Sequence, residues 1–276
     1  MKIGVAGLGL IGGSLALALR DAHDITAYDT DEETRKSATN AGIRIAPRLE
    51  ELSTADAVVV ATPMRAVVPT LERVAAAGDG AVLLDTGSLK RAVIELAGRL
   101  APTTRLVGGH PMAGATASGF SAADRDLFRG RPFLLVPTAR SDDRAMAVAG
   151  DIARDCGAVV TVCSAEVHDR AMARLIAAPL ATAAALAVAG AEADPLVEVA
   201  GPGFRDSTRL ADTPVEFAAD LLLANRDDAS GAIGSVREAL AQLRDALERD
   251  DRELVRNMLL TARSVRDALK GDLEGT

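Results

Sequence analysis

Three glycines and one histidine are the residues of this chain whose types and spacing can do chemistry. The chain opens Met1-Lys2-Ile3-Gly4-Val5-Ala6-Gly7-Leu8-Gly9-Leu10-Ile11-Gly12-Gly13-Ser14: an apolar run, a G-x-G-x-x-G turn, then a helix. In such a turn Gly7 permits the sharp bend and Gly9 lets the backbone approach a pyrophosphate. Gly12 lets the helix pack close to the strand, so that its N-terminal amides face the phosphates. Leu10 and Ile11 lie within the same turn and are assigned to the cofactor surface, with Thr62 and Pro63 after a later strand. Asp29 ends the next predicted strand, roughly 20 residues beyond the turn, where an acid accepts hydrogen bonds from ribose hydroxyls. A carboxylate there repels a 2′-phosphate, so NAD is expected in preference to NADP. The turn alone leaves three alternatives open: no ligand, FAD or S-adenosylmethionine.

The histidine is His110, in Gly108-Gly109-His110-Pro111-Met112-Ala113-Gly114. This stretch reads as an exposed, proline-stiffened loop, and a neutral imidazole there is a candidate base titrating near its ordinary range. A structural turn histidine is the bland alternative. Two other histidines occur. His23 lies near Asp21 and Asp24 and reads as a solvated turn residue. His168 precedes Asp169 at a predicted helix start, so an orienting or capping role is expected. No metal cluster, hydrolytic triad or P-loop is visible.

Around these residues, 276 positions suggest about two domains. Hydrophobic residues make up 49% and aromatics only 2%, so the core must be built of Ala, Val and Leu. A net charge of -8 argues against nucleic acid as a partner, although local arginines leave small anionic substrates open. Cys156 and Cys163, outside C-x-x-C spacing, suggest reduced thiols in a cytoplasmic protein, with a disulfide between them as the lesser alternative. Residues 1–19 could mimic a signal peptide, but their glycines belong to the fingerprint. The Ala-rich run Leu175 to Ala191 has the length of a membrane span. Pro179 and the small alanines favour a buried bundle helix instead, so no membrane is expected.

Strands are predicted at Lys2 to Ala6, Asp24 to Tyr28, Ala57 to Ala61, Ala81 to Asp85, Leu106 to Gly109, Pro132 to Val136 and Ala158 to Thr161. Helices are predicted at Ser14 to Arg20, Asp31 to Ala41, Ala66 to Ala77, Lys90 to Leu100 and Asp142 to Asp155. The alternation predicts an α/β fold with a Rossmann-type doubly wound sheet over 1–164. An all-α domain is expected over 165–276, with helices at Ala171 to Ala191, Val215 to Asn225, Ile233 to Glu248 and Asp251 to Leu269. Gly201-Pro202-Gly203 is read as a loop breaking that series.

The chain resembles the prephenate/arogenate dehydrogenases of tyrosine biosynthesis. The resemblance is carried by the opening glycine turn, Asp85-Thr86-Gly87-Ser88-Leu89-Lys90, Gly109-His110-Pro111-Met112-Ala113-Gly114, His168-Asp169-Arg170 and Gly203-Phe204-Arg205-Asp206-Ser207-Thr208-Arg209. It implies an N-terminal cofactor domain, a helical domain that forms a homodimer, and an active site in the cleft between them. It makes His110 the catalytic base, has Ser88 hydrogen-bond the histidine and the substrate hydroxyl, and gives Arg209 a substrate carboxylate. Gly114 joins the substrate contacts. The implied reaction is oxidative decarboxylation: the hydroxyl proton goes to imidazole as hydride leaves the carbinol carbon for the nicotinamide. Carbon dioxide then departs and the ring becomes aromatic.

One departure bears on the substrate. Many family members carry S-H-L-P-H after the His-Asp pair; this chain has Ile176-Ala177-Ala178-Pro179-Leu180. The resemblance implies prephenate or arogenate as substrate; the loss of those histidines points to arogenate, or to a 4-amino-4-deoxyprephenate-type relative as the alternative, rather than to prephenate itself. A β-hydroxyacid or imine dehydrogenase is disfavoured because residues 168–191 contain no lysine. A non-catalytic NAD-sensing regulator is the non-enzyme alternative.

Overall fold

A computed structural model describes residues 1–78, 80–114, 117–193 and 196–271. These divide into two compact units: Met1–Met172 with Asp212–Asn225, and Ala173–Ala211 with Arg226–Thr276.

The first unit is built on an eight-stranded sheet, ordered β3-β2-β1-β4-β5-β6-β7-β8. The strands are β1 (Lys2–Ala6), β2 (Asp24–Tyr28), β3 (Arg44–Ile45), β4 (Ala57–Val60), β5 (Val82–Asp85), β6 (Arg105–Pro111), β7 (Pro132–Pro137) and β8 (Val159–Val162). All neighbours are parallel except β6 and β7. The reversal of order at β1/β4 is the switch point where ligands sit in open α/β sheets.

The central strands β1, β4 and β5 read as near-continuous apolar runs because both faces are covered. Ala57, Val59, Val82 and Leu84 turn towards one face. There Leu15 and Leu19 of α1 (Leu10–Leu19) pack with Ala149 and Ile152 of α5 (Asp143–Asp155). Val58, Val60 and Leu83 turn to the other, against Val67 and Leu71 of α3 (Met64–Ala77) and Val93 and Leu96 of α4 (Arg91–Arg99). The short helix α2 (Glu32–Asn40), with Glu32 and Glu33 in its first turn, is capped by Asp31, whose carboxylate accepts the Thr34 N–H at 2.7 Å.

Several elements differ from the sequence reading. Helix α1 begins at Leu10, four residues before the expected start, and the Gly13 N–H donates to the Gly9 carbonyl at 2.9 Å. Glycine's poor helix propensity hid that first turn. His110 is not in a loop. It is the sixth residue of β6, paired antiparallel with Leu134, and only 6% exposed. Gly108 and Gly109, which look like turn residues, serve close packing instead. A Cβ on Gly109 would lie 2.5 Å from the Asp85 carbonyl oxygen and 2.8 Å from Leu84 Cδ1. The two-residue strand β3 was not predicted.

After α6 (Ala165–Met172) comes a π-helical turn, Ala173–Ala177, and then α7 (Ala178–Gly190). Pro179 accounts for the widened turn: it has no N–H for the Leu175 carbonyl, and its ring crowds that oxygen. Residues Ala165–Gly190 are long and apolar enough to cross a membrane by length and composition. Ala178, Leu180 and Ala183 are buried, whereas Leu186 and Val188 are exposed, so only one face of α7 fits the expected bundle helix.

Gly201-Pro202-Gly203 does not form a loop. Gly201 caps α8 (Pro202–Thr208) and Pro202 occupies its first turn, a position that needs no N–H. Within the second unit Phe204 packs where a Cβ on Gly190 would sit. Ala173, Ala178 and Ala232 form a small core with Val236 of α10 (Arg226–Glu248), followed by α11 (Arg252–Gly271). The remaining helix, α9 (Val215–Ala224), belongs to the first unit, where Arg65 of α3 donates through Nε to Asp220 at 2.7 Å.

The crowding at Gly109 generates a prediction. Gly109→Ala forces its methyl against a strand carbonyl that cannot yield, and should destabilise the fold by about 1–3 kcal/mol. A urea melt reads this; an unchanged midpoint would show that β5 and β6 do not need their close approach.

Candidate active site

The cofactor turn is fixed by backbone geometry. Gly7 has φ of 93°, donates its N–H to the Tyr28 carbonyl at 2.8 Å, and leaves no room for a Cβ, which would meet the Ala61 carbonyl at 2.6 Å. A Cβ on Gly12 would collide with the Gly7 carbonyl oxygen, whereas one on Gly9 would meet nothing within 4 Å. Gly7 and Gly12 are thus required by the fold, and Gly9 leaves open space above the switch point. Leu10 and Ile11 form the half-buried first turn of α1.

Asp29 closes this turn. Its Oδ2 accepts the Leu8 N–H at 2.7 Å and its Oδ1 the Asp31 N–H at 2.9 Å. The Arg35 guanidinium also reaches this corner, donating to the Asp29 and Thr30 carbonyls at 2.7 and 2.9 Å. Pro63 leads into α3, and beside it Thr62 Oγ1 is the orphan: a buried hydroxyl without a hydrogen-bond partner among the described residues. Such groups are rare in folded proteins and call for an explanation. A glycine turn with open space, an acid at the second strand end and an unsatisfied hydroxyl beside it fit a dinucleotide.

His110 projects from β6 into a buried polar cluster. Its Nδ1 lies 3.0 Å from His168 Nε2, with the rings edge to face and centroids 5.1 Å apart. His168 Nδ1 in turn lies 2.7 Å from Asp169 Oδ1. Asp169 also accepts the Lys90 N–H at 2.8 Å and the Arg91 N–H at 2.9 Å, at the start of α4, and its own carbonyl accepts from Asn225 Nδ2 at 2.8 Å. Lys90, fully buried, pairs with Asp85 and donates to the Gly109 carbonyl at 2.6 Å, next to His110. Asp85 accepts the Gly87 N–H at 2.8 Å and the Gly109 N–H at 3.1 Å.

This setting tunes the imidazole. Burial first, then the Lys90 cation and His168, push His110 well below its ordinary pKa. Its titration was expected near the ordinary range only because an exposed loop was expected. Burial would raise the Asp169 carboxyl, but hydrogen bonds from His168 and the two amides outweigh it and hold the group below its usual value. Burial also lowers Lys90, against the opposing pull of Asp85.

The structure thus brings His110 and His168 together; the orienting role expected of His168 fits its position between His110 and Asp169. Asp85 and Lys90 belong to a motif that carries the resemblance but, like Asn225, were given no chemical role from the sequence; their contribution arises from tertiary contacts between distant segments. Ser88 is half-buried between β5 and α4. Among the described residues it has no hydrogen bond to His110, whose partner is His168. Gly114 is exposed beyond β6, where a Cβ would meet nothing within 4 Å, and Ala115 and Thr116 fall outside the described residues. Arg209 is exposed at the C-terminus of α8, in the second unit, with no ion pair to Asp206 among the described residues. His23 is not a solvated turn residue: its side chain is 9% exposed and its Nε2 lies 2.8 Å from Asp155 Oδ2.

Residues 15–162 match the nucleotide-binding domain of prephenate dehydrogenase, and residues 164–261 match the dimerization domain of the same enzyme. The chain belongs to the prephenate dehydrogenase family. A prephenate dehydrogenase from Bacillus subtilis is 32% identical, the match covering 96% of this chain and 75% of that one. The crystal structure of Synechocystis arogenate dehydrogenase is 29% identical with a TM-score of 0.86, covering 98% of this chain and all of the other. That of prephenate dehydrogenase from A. aeolicus, in complex with hydroxyphenyl propionate and NAD+, is 27% identical with a TM-score of 0.85, covering 98% of each. The chain is therefore an oxidoreductase.

The orphan hydroxyl gives the prediction for this site. Thr62→Val keeps the shape and removes a group that finds no partner among the described residues, so thermal stability should hold or rise. Dinucleotide affinity should fall roughly five- to tenfold, the worth of about one hydrogen bond. Isothermal titration and a thermal melt on the same variant check both halves; lost stability with unchanged affinity would assign the hydroxyl to the fold.

Proposed function

We propose that the chain catalyses the oxidative decarboxylation of a cyclohexadienol carrying a ring carboxylate, prephenate or arogenate; the alternative is a 4-amino-4-deoxyprephenate-type relative, in which a ring amine takes the place of the hydroxyl. The observation that carries this reading is a buried imidazole, held neutral, in the same unit as a dinucleotide turn with an unsatisfied hydroxyl. The cofactor is NAD, which supplies the hydride-accepting ring when bound. Gly7, Gly9, Leu10, Ile11 and Gly12 hold its pyrophosphate, Asp29 its ribose, and Thr62 and Pro63 its flank.

His110 takes the substrate hydroxyl proton as hydride leaves the carbinol carbon. A base kept neutral by burial is available for that proton without first losing one of its own. Ser88 donates to the substrate hydroxyl region, and Gly114 leaves room beside it for want of a side chain. Arg209 holds a carboxylate through its planar fork. Loss of carbon dioxide makes the ring aromatic and drives the step, so the residues chiefly orient the substrate and receive one proton.

Ala177 and Leu180 stand where many relatives have histidines, and both are buried apolar residues. Neither offers a polar group to a pyruvyl keto oxygen, which supports arogenate, whose side chain bears an amine in place of that oxygen, at least as well as prephenate. Residues 165–276 serve as the substrate and dimerisation domain and residues 1–164 as the cofactor domain, in a cytoplasmic homodimer. The exposed Leu240, Leu247, Leu259, Leu260 and Val265 supply apolar surface for the dimer.

Three measurements test the reading. Steady-state rates with NAD should favour arogenate or 4-amino-4-deoxyprephenate, or place them level with prephenate; a wide margin for prephenate would defeat the argument from Ala177 and Leu180. His110→Asn should retain NAD binding and lose about 10²- to 10⁴-fold in kcat, and a fully active variant would remove His110 as the base. Asp29→Ser should relax the preference for NAD over NADP by roughly tenfold, as expected for a charged hydrogen-bond acceptor. Wild-type enzyme that prefers NADP would reverse the assignment of Asp29.

A further inference from the structure

We infer that Asp169, acting through His168, fixes His110 in the tautomer that carries its proton on Nδ1 and presents Nε2 as the basic nitrogen. Asp169 and His168 are positioning residues in this scheme, and the inference rests on the reading of His110 as the base.

The argument follows from which atoms can donate. Ionised, a carboxylate only accepts. Asp169 accepts the Lys90 and Arg91 amides at the N-terminus of α4, where the helix dipole also favours a negative charge. Its Oδ1 faces His168 Nδ1 at 2.7 Å, so that nitrogen carries the proton. Neutral His168 then has a lone pair on Nε2. The atom facing that lone pair at 3.0 Å is His110 Nδ1, which must donate. His110 Nε2 is left without a proton, as a base requires.

The opposite arrangement protonates both nitrogens of His168 and donates Nε2–H to His110. It places a second cation in the cluster that already holds the Lys90 ammonium, with His168 only 1% exposed. It would also put the proton of neutral His110 on Nε2, where no substrate proton could be received. The anchor is rigid: the Asp169 carbonyl is held by Asn225 and its carboxylate by two backbone amides, so the chain of tautomers has a fixed end.

The chain contains only three histidines, so nitrogen-15 NMR of histidine-labelled protein can assign each ring by substitution. Near pH 8, His110 and His168 should both show protonated Nδ1 and unprotonated Nε2. In Asp169→Asn an amide NH2 in the place of Oδ1 donates to His168 Nδ1 and gives up the Lys90 N–H that Oδ1 accepts; this moves the His168 proton to Nε2 and forces His110 into the Nε2–H form. That variant should lose about 10²-fold or more in kcat, with NAD affinity and KM within about threefold. His168→Gln, whose Oε1 can accept from His110 Nδ1, should stay within about tenfold of wild type, whereas His168→Met should fall by about 10²-fold.

Wild-type His110 with its proton on Nε2 would overturn the inference, as would Asp169→Asn with unchanged tautomer and kcat. If Asp169→Asn fails to fold, since its carboxylate also caps α4, the wild-type spectrum and the Gln/Met pair decide. A fully active His110→Asn would instead defeat the base reading, while the spectrum still reports the tautomer.

Discussion

A buried carboxylate must have its oxygens satisfied, and the way Asp169 meets that requirement arranges the site around it. Its partners come from two amides at the start of α4 and from the ring of His168. Those bonds tie the start of α4 to α6, and through His168 to the side chain of His110 on β6. Removing Asp169 would leave the first amides of α4 without acceptors and the two imidazoles without a fixed orientation. Both are costly inside a protein. The Asp85–Lys90 ion pair does the same for the backbone: Lys90 holds the Gly109 carbonyl, and Asp85 holds the N–H of Gly87 and of Gly109.

These networks require the strands to lie close together. Gly109 gives β6 its approach to β5, and Gly108 leaves space for the Lys90 stem, since a Cβ there would lie 3.0 Å from Lys90 Cδ. The same economy operates at the cofactor turn, where Gly7 and Gly12 are dictated by neighbouring backbone and Gly9 is left free to face a ligand. Small residues in this chain thus mark two kinds of place. At some of them backbone meets backbone, and at others backbone is expected to meet a bound molecule.

Much of this was legible in the sequence. Lys2–Ala6 and Asp24–Tyr28 were read with their observed bounds: the first is an apolar run buried after Lys2, and the second alternates buried Ile25 and Ala27 with more exposed neighbours. The glycine spacing and Asp29 exposed the cofactor turn. Residues that look like loop formers misled the reading elsewhere. Gly108, Gly109 and Pro111 suggested a turn around His110, but the antiparallel return of β7, 24 residues from His110 at Leu134, keeps them in the sheet. Gly201 and Pro202 suggested a break where they start a helix. The burial of His110, and hence its lowered pKa, could not be read locally, because the groups responsible lie on α4 and α6. Lys90 looked like an ordinary helix-start lysine; only the fold places it against Asp85, with no exposed surface.

The central claim is that a buried, neutral His110 accepts the proton released in the dehydrogenation. The pH dependence of kcat for the wild-type enzyme tests it most directly. Because burial and the Lys90 cation lower the imidazole's affinity for a proton, the base remains available below pH values at which an ordinary histidine is already charged. The rate should therefore stay level as pH falls through about 6.5, the ordinary histidine value, and decline only in more acidic solution. A rate that drops at or above pH of about 6.5 would contradict a buried neutral base and return the proton acceptor to an exposed group.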